Sequence, residues 1–251
     1  MREKLFQLLS ELKLTGMASI LDEELDRSTA QQLACEDVLY RLLCAESSHR
    51  QERSLEYRIK QARLIQPWCL ETFPFDLQPG VSASQIRSLA GLDFIQRTQN
   101  LVFIGPPGTG KTGLAIGLMR KALLEGYRGR FYSAQDLLDE LYASLADRTT
   151  SRLLNRLANY DVLLIDELGY LTLNPEQVNA FFKLMEMRYN RKSTIITTNL
   201  PYGDWYELFK RKPLVDALLD RLRHHCVTIQ IDGASLRRPA EPEPAEKPPS
   251  P

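Results

Sequence analysis

The sequence predicts an α/β fold with a parallel central sheet, preceded by a small, wholly helical N-terminal domain. Apolar residues recur only at helical spacing up to about residue 66, whereas short β-rich runs alternate with helical segments farther along. Such alternation is typical of βαβ units, because parallel strands need a crossover connection. Pro67, Pro74, Pro79 and Gly80 separate the two patterns and mark a domain boundary.

Three helices are predicted in the N-terminal domain, residues 1–66. The first has an apolar face formed by Leu5, Leu8, Leu9 and Leu12. Thr15 and Gly16 indicate a break and a new helix cap. The second helix has an apolar stripe formed by Met17, Ile20, Leu21 and Leu25. The third runs from about Glu36 to Leu64 and shows no strand-like alternation.

Five strands are predicted in the second domain, residues 67–238. They cover Leu101–Ile104, Arg130–Tyr132, Val162–Ile165, Thr194–Thr197 and Val227–Ile231. Residues 239–251 are rich in proline and glutamate and have almost no apolar bulk. Such a segment cannot offset its ordering entropy, so a disordered tail is predicted there.

Composition and charge exclude several classes of protein. The chain has 251 residues, 43% of them hydrophobic, with 32 basic and 32 acidic side chains in balance. Because the net charge is zero, any binding of nucleic acid would have to occur at a local basic patch. No apolar run approaches the roughly 18–20 residues that span a bilayer. The first residues lack the apolar core of a signal peptide, so a cytoplasmic protein with no membrane partner is expected.

Cysteine spacing supports the same compartment and gives no metal centre. Cys35, Cys44, Cys69 and Cys226 show no CxxC pattern, which predicts reduced thiols. His224, His225 and Cys226 are adjacent, and consecutive residues do not readily converge on one metal ion.

The segment Gly-Pro-Pro-Gly-Thr-Gly-Lys-Thr matches the pattern G-x4-G-K-[ST] of a phosphate-binding loop. An apolar strand precedes it and a helical run follows, so its N–H groups would lie at a helix N-terminus. Lys111 would reach the β- and γ-phosphates, and the Thr112 hydroxyl would bind Mg²⁺. The predicted ATP-binding residues are Gly105, Pro106, Pro107, Gly108, Thr109, Gly110, Lys111, Thr112 and Gly113.

An overlapping pattern, G-x-G-x-x-G from Gly108 to Gly113, indicates a dinucleotide site instead. That site needs an acidic residue where the second strand ends, and the strand ending at Ser133 and Ala134 has none. A lysine in the loop also suits a triphosphate better, so ATP with Mg²⁺ is the predicted ligand pair.

The second half of the predicted site follows the other strands. Asp166 ends an apolar strand and would hold Mg²⁺, while Glu167 would polarise the attacking water. Asn199 follows the next strand and would orient that water. A water nucleophile makes hydrolysis the expected reaction rather than transfer to a hydroxyl substrate. Arg221 and Arg223 are two residues apart on a helix, and one of them would reach a neighbouring subunit's γ-phosphate as an arginine finger.

Together these segments resemble the IstB-type transposition helper ATPases of the AAA+ superfamily, which are close to bacterial helicase loaders. The resemblance covers about residues 5–238. It rests on residues 12–17, 105–112, 164–170, 191–201 and 219–225. It implies an AAA+ P-loop core behind the helical N-terminal domain, assembly on DNA, a partner transposase, and an arginine finger at Arg221 between subunits. The separate C-terminal lid that many AAA+ proteins carry is not expected here.

Two positions depart from the pattern of that family. The residue after the loop threonine is usually histidine and is Gly113 here. The family usually reads Gly-(Glu/Asp)-Ser-Tyr-Arg near its end, whereas this chain has Gly-Ala-Ser-Leu-Arg from Gly233 to Arg237. Arg237 is a candidate for the second sensor residue of the ATP site.

Two basic segments are candidates for contact with DNA phosphates. One contains Arg50, Arg53, Arg58, Lys60 and Arg63, and the other is Lys210-Arg-Lys212 beside Trp205, Tyr206 and Phe209. Each also suits an ordinary solvated helix face. Neither shows a base-reading pattern, so binding of duplex DNA is expected to be largely independent of sequence.

The leading hypothesis is a DNA-dependent ATPase that forms homo-oligomers on duplex DNA and recruits or stimulates a transposase. Hydrolysis would then drive disassembly. The alternative is an adaptor of the helicase-loader type, in which ATP acts as a switch for delivering a replicative helicase. Small-molecule phosphotransfer is a third class, but no substrate domain is evident.

Overall fold

A computed structural model describes residues 1–78, 80–169 and 171–237, except for the side chain of Arg223. The chain divides into two compact units, Met1–Gln61 and the residues from Ala62 onward. Tyr170, one of the residues that carry the resemblance, lies outside the described residues, and so does the predicted disordered tail. None of the described helices is long and apolar enough to cross a bilayer.

The N-terminal unit is built from helices that pack on a small apolar core. They are α1 (Arg2–Glu11), α2 (Thr15–Gln31) and α3 (Cys35–Ala62). Met17 and Leu21 of α2 are buried in this core with Val38 and Leu42 of α3. At Gly16 a side chain would lie within 2.8 Å of the α3 backbone, so α2 and α3 pack closely there.

Two features of this unit differ from the sequence-based expectation. Of the apolar face predicted for α1, Leu9 packs against the core, whereas Leu5, Leu8 and Leu12 are exposed. Phe6, which was not part of that face, packs against the core beside Leu9. Helix α2 begins at Thr15, but its cap comes from α3. The buried carboxylate of Glu46 accepts hydrogen bonds from the backbone N–H groups of Gly16 and Met17, at 2.8 and 3.2 Å.

In the second unit the described residues form a five-stranded sheet, with all neighbouring strands parallel, in the order β2-β3-β4-β1-β5. The strands are β1 (Asn100–Ile104), β2 (Gly129–Ser133), β3 (Val162–Asp166), β4 (Ser193–Thr198) and β5 (Cys226–Gln230). The predicted parallel α/β fold is therefore confirmed. Strands β1, β3 and β4 are buried along their length. Burial on both faces explains the nearly continuous apolar sequences of β1 and β3, whereas β4 combines two isoleucines with buried serine and threonine.

Helices precede and connect these strands. They are α4 (Ala83–Leu89), α5 (Asp93–Gln96), α6 (Lys111–Leu124), α7 (Ala134–Ala146), α8 (Thr150–Ala158), α9 (Pro175–Arg188), α10 (Trp205–Phe209) and α11 (Lys212–His224). Two short 3-10 turns, Leu70–Thr72 and Phe75–Leu77, come before α4. Because the strands are parallel, the loops that follow β1, β3 and β4 all meet at one edge of the sheet, and the candidate site lies there.

Candidate functional site

The predicted phosphate-binding loop connects β1 to α6. Gly108 and Gly110 have φ angles of +81° and +92°, which residues other than glycine rarely adopt. The Thr109 hydroxyl donates to the carbonyl of Pro106 at 2.9 Å and closes the loop on itself. The chain then enters α6 at Lys111, and the N–H groups of a first helical turn have no partner within their own helix. An anion is the ligand that suits such a loop.

Lys111 holds its ammonium group against this loop. Its Nζ donates to the carbonyl oxygens of Gly105 and Pro106, each at 2.7 Å. Burial lowers the pKa of Lys111, the charges of Asp166 and Glu167 partly oppose this shift, and the charge of Arg237 adds to it. A cation that has lost part of its hydration gains more from a bound anion than an exposed one does.

Asp166 connects three elements of the site. Its Oδ1 accepts hydrogen bonds from the hydroxyls of Thr112 at 2.8 Å and Thr197 at 2.5 Å. Burial raises the pKa of Asp166, and the two hydroxyl groups counteract part of that rise. The predicted Mg²⁺ ligands Thr112 and Asp166, 54 positions apart in the chain, are therefore in direct contact. A hydroxyl and a carboxylate oxygen are ligands that Mg²⁺ accepts.

Glu167 turns away from the buried carboxylate beside it. It is exposed, whereas Asp166 is buried, and its backbone φ of 58° lies in the left-handed region. For a residue other than glycine this conformation costs roughly 1–2 kcal/mol. The Glu167 N–H donates to the Thr197 hydroxyl at 2.9 Å, which holds the turn. The structure thus separates the two acidic side chains, one buried and one facing solvent at the sheet edge.

Asn199 directly follows β4 and is half-buried beside the same turn. A methyl group at Gly169 would overlap the Oδ1 atom of Asn199, so the amide lies against the chain two residues beyond Glu167. One edge of the sheet therefore brings together most of the predicted site, namely the phosphate loop with Lys111 and Thr112, the acidic pair and Asn199.

Thr197 belongs to this cluster and was missed in the sequence. Its hydroxyl donates to Asp166 and accepts from the Glu167 backbone, so it bridges both acidic residues. The signal is the strand register, because Ile165 pairs with Ile196. A polar residue one step beyond Ile196 therefore lies beside Asp166.

A segment after β5, here called the strap (residues 232–236), lies against the phosphate loop. The Leu236 N–H donates to the Gly108 carbonyl at 2.8 Å. Side chains added at Gly108 and Gly110 would lie 2.9 Å from Ser235 Cβ and 3.1 Å from Leu236 Cδ1. The strap is therefore in direct contact with the backbone of the phosphate loop.

Arg221 does not join the cluster. Its Nη2 lies 3.5 Å from Glu186 Oε1, and its guanidinium carbon lies 5.7 Å from the centre of the Tyr189 ring. These contacts are at the end of α9, which leads into the start of β4, whereas the phosphate loop follows the end of β1. A strand of this length separates the two edges by roughly 17–20 Å. The side chain of the other candidate, Arg223, lies outside the described residues.

The two basic segments have different settings. Arg50 is paired with Glu46 at 2.7 Å, whereas Arg53 and Lys60 are exposed on α3. Lys210, Arg211 and Lys212 are exposed where α10 ends and α11 begins. Of the aromatic neighbours of that second segment, Trp205 and Phe209 are buried in the core and are not available to stack on bases, while Tyr206 is half-buried and donates to Asp216.

The sequence model of a family described as IstB-like ATP binding protein matches residues 7–243. The chain belongs to this family. An ATP-binding protein of insertion sequence IS21 from Pseudomonas aeruginosa is 40% identical over 92% of this chain and 87% of its own length. An ATP-binding protein of insertion sequence IS5376 from Geobacillus stearothermophilus is 35% identical over 94% of each chain. The predicted family resemblance is thus confirmed.

Solved structures show the same fold for this IstB-like chain. The crystal structure of the DnaC helicase loader is 28% identical, with a TM-score of 0.52 over 59% of this chain and 87% of that chain. The replication initiator DnaA bound to AMPPCP and single-stranded DNA is 20% identical, with a TM-score of 0.56 over 67% of this chain and 51% of that chain. The second unit is therefore an AAA+ core.

The setting of Asp166 predicts that this residue does not stabilise the fold. Asp166→Asn should leave the free energy of unfolding without nucleotide unchanged or higher, because asparagine can still accept the two hydroxyl bonds and carries no buried charge. The measurement is urea unfolding at pH 7.

Asp161→Asn is the matched control. Burial would raise the pKa of Asp161, but Lys192 and the Arg128 backbone lower it below its ordinary value. This variant should lose about 1–2 kcal/mol of stability. A larger loss at Asp166 than at Asp161 would show that the Asp166 carboxylate has a structural role.

Proposed function

We propose that the chain is an ATPase that binds ATP with Mg²⁺ and hydrolyses it to ADP and phosphate. The contact between Thr112 and Asp166 carries this proposal, because it joins the helix that begins at the phosphate loop to the acidic end of β3. The family description and the names of the relatives support the nucleotide.

The roles of the residues follow from their places in the site. The loop N–H groups and Lys111 bind the β- and γ-phosphates, and Thr112 and Asp166 hold Mg²⁺. The ion supplies neutralisation of charge on the phosphate oxygens when it is bound. Glu167, exposed at the sheet edge, accepts a proton from the attacking water, and Asn199 helps to orient that water. Thr197 positions both acidic residues.

We also propose that the active site is completed by a second copy of this chain. Arg221 belongs to α11 and contacts the end of α9, at the opposite sheet edge from its own phosphate loop, so it suits the γ-phosphate of a neighbouring subunit. Its contacts with Glu186 and Tyr189 restrict its position. Homo-oligomers with ATP sites between subunits follow from this placement.

The proposed setting is transposition in a bacterial cytoplasm. The relatives are insertion-sequence proteins, so the chain would assemble on duplex DNA, recruit or stimulate a partner transposase, and disassemble after hydrolysis. The exposed cations of α3 and of Lys210–Lys212 would contact phosphates without reading bases.

A second candidate function is that of a helicase-loading adaptor. The likeness to the DnaC helicase loader favours it. In that case ATP acts as a switch, and turnover matters little. Pull-down with a replicative helicase and with a transposase separates the two functions, because each predicts retention of only one partner.

The direct test measures ATP turnover and sedimentation, each with and without duplex DNA. We expect duplex DNA to increase both turnover and particle size when ATP is present. Glu167→Gln should keep ATP binding and lose at least about tenfold in turnover, because the water loses its base. Glu125→Gln is the surface control, because Glu125 is exposed and pairs with Lys121 at the end of α6 that lies away from the phosphate loop. Its turnover should be reduced much less. Turnover that is unchanged in Glu167→Gln would contradict the assigned role.

The placement of Arg221 predicts complementation between subunits. Arg221→Ala alone should abolish hydrolysis while each subunit still binds ATP, and Lys111→Ala alone should abolish binding. A mixture of the two variants should regain part of the turnover, because some interfaces then combine an intact loop with an intact arginine.

The control for this experiment is Arg223→Ala, which should hydrolyse ATP in the absence of any partner variant. If Arg223→Ala abolishes hydrolysis and Arg221→Ala does not, then the finger is Arg223. If the mixture of Arg221→Ala and Lys111→Ala stays inactive, the arginine does not act between subunits.

A further inference from the structure

Gln78 is a fully buried polar side chain that contacts the strap from the segment preceding the core. Its Nε2 donates to the carbonyl of Ala234, 156 positions farther along the chain. Its Oε1 accepts no hydrogen bond from the described residues. That atom lies where a Cβ on Gly233 would be placed, so only glycine fits there without displacing the strap or the amide.

A second contact joins the same two segments. A side chain at Gly80 would come within 3.1 Å of the Asp232 backbone, so the two chains run close together here as well. The strap then continues to Leu236, whose N–H binds the Gly108 carbonyl. Gln78 and Gly80 therefore contact the beginning of the strap, while its end supports the phosphate loop.

The loop needs external support because it is rich in glycine. Glycine has the largest conformational freedom of any residue. Each additional loop conformation that cannot bind nucleotide lowers the fraction of molecules whose loop is ready to bind it. A strap fixed against the loop limits those conformations before the ligand arrives. Preorganisation of this kind raises affinity without adding a contact to the ligand.

We propose that Gln78 and Gly233 form a latch that fixes the strap against the phosphate loop and thereby sets the affinity for nucleotide. They are positioning residues, since they would act on the loop through the strap. The proposal rests on the proposed ATP site and deepens it.

The test measures the dissociation constant of ATP, the turnover at saturating ATP and the melting temperature for three variants. Gly233→Ala should weaken ATP binding about tenfold, because the new methyl group displaces the strap. Gln78→Ala should weaken it about fivefold through loss of the bond to Ala234. The double variant should bind like Gln78→Ala alone, since the shortened side chain leaves room for the methyl group. Turnover at saturating ATP should change less than about twofold in the folded variants.

Gly203→Ala and Gln85→Ala are the controls, because Gly203 has open space around it and Gln85 is exposed. Both should bind ATP like the wild type. Additive losses in the double variant would overturn the latch. If Gly233→Ala fails to fold, Gln78→Ala decides alone, and wild-type affinity in that variant overturns the proposal. Failure of the wild type to bind ATP would instead refute the proposed function.

Discussion

The hydrogen bonds to Asp166 are the interaction on which the candidate site depends. One carboxylate oxygen accepts from Thr112 at the start of α6 and from Thr197 at the end of β4. The strand order β3-β4-β1 makes this possible, because β4 lies between the strand that carries Asp166 and the strand that leads into the phosphate loop. The same Thr197 hydroxyl accepts the Glu167 N–H, so one small network sets the positions of the loop helix and both acidic residues.

Several groups in and around this network lower the stability of the folded chain when no ligand is bound. Asp166 is a buried carboxylate with a raised pKa, Lys111 is a partly buried ammonium with a lowered pKa, and Glu167 has a left-handed backbone. Costs of this kind are typical of sites whose favourable interactions are completed by a ligand. Opposite shifts on the lysine and the aspartate suit a ligand that carries both phosphate charge and a divalent cation.

The parts of the fold and site that could be predicted from the sequence are those formed by residues that are contiguous in the chain. The phosphate loop, the apolar strands and the acidic end of β3 each lie within one short segment, so periodicity and spacing suffice. Other contacts depend on partners that are far away in sequence. They are the capping of α2 by Glu46, the bridge that Thr197 forms between the acidic residues, and the contact of Gln78 with the strap. Their geometry follows from helix packing, strand register and the close approach of two chain segments, none of which local patterns contain. The exposed face of α1 is a similar case, since apolar spacing shows a stripe without showing what covers it.

The most direct measurement of the central claim is a titration of ATP with Mg²⁺ and with EDTA, for the wild type and for Asp166→Asn and Thr112→Val. The account predicts that Mg²⁺ strengthens binding to the wild type by about tenfold or more, and that either substitution removes this gain while affinity in EDTA changes little. Equal strengthening by Mg²⁺ in all three proteins would contradict it, because Thr112 and Asp166 would then not form the metal-binding part of the site.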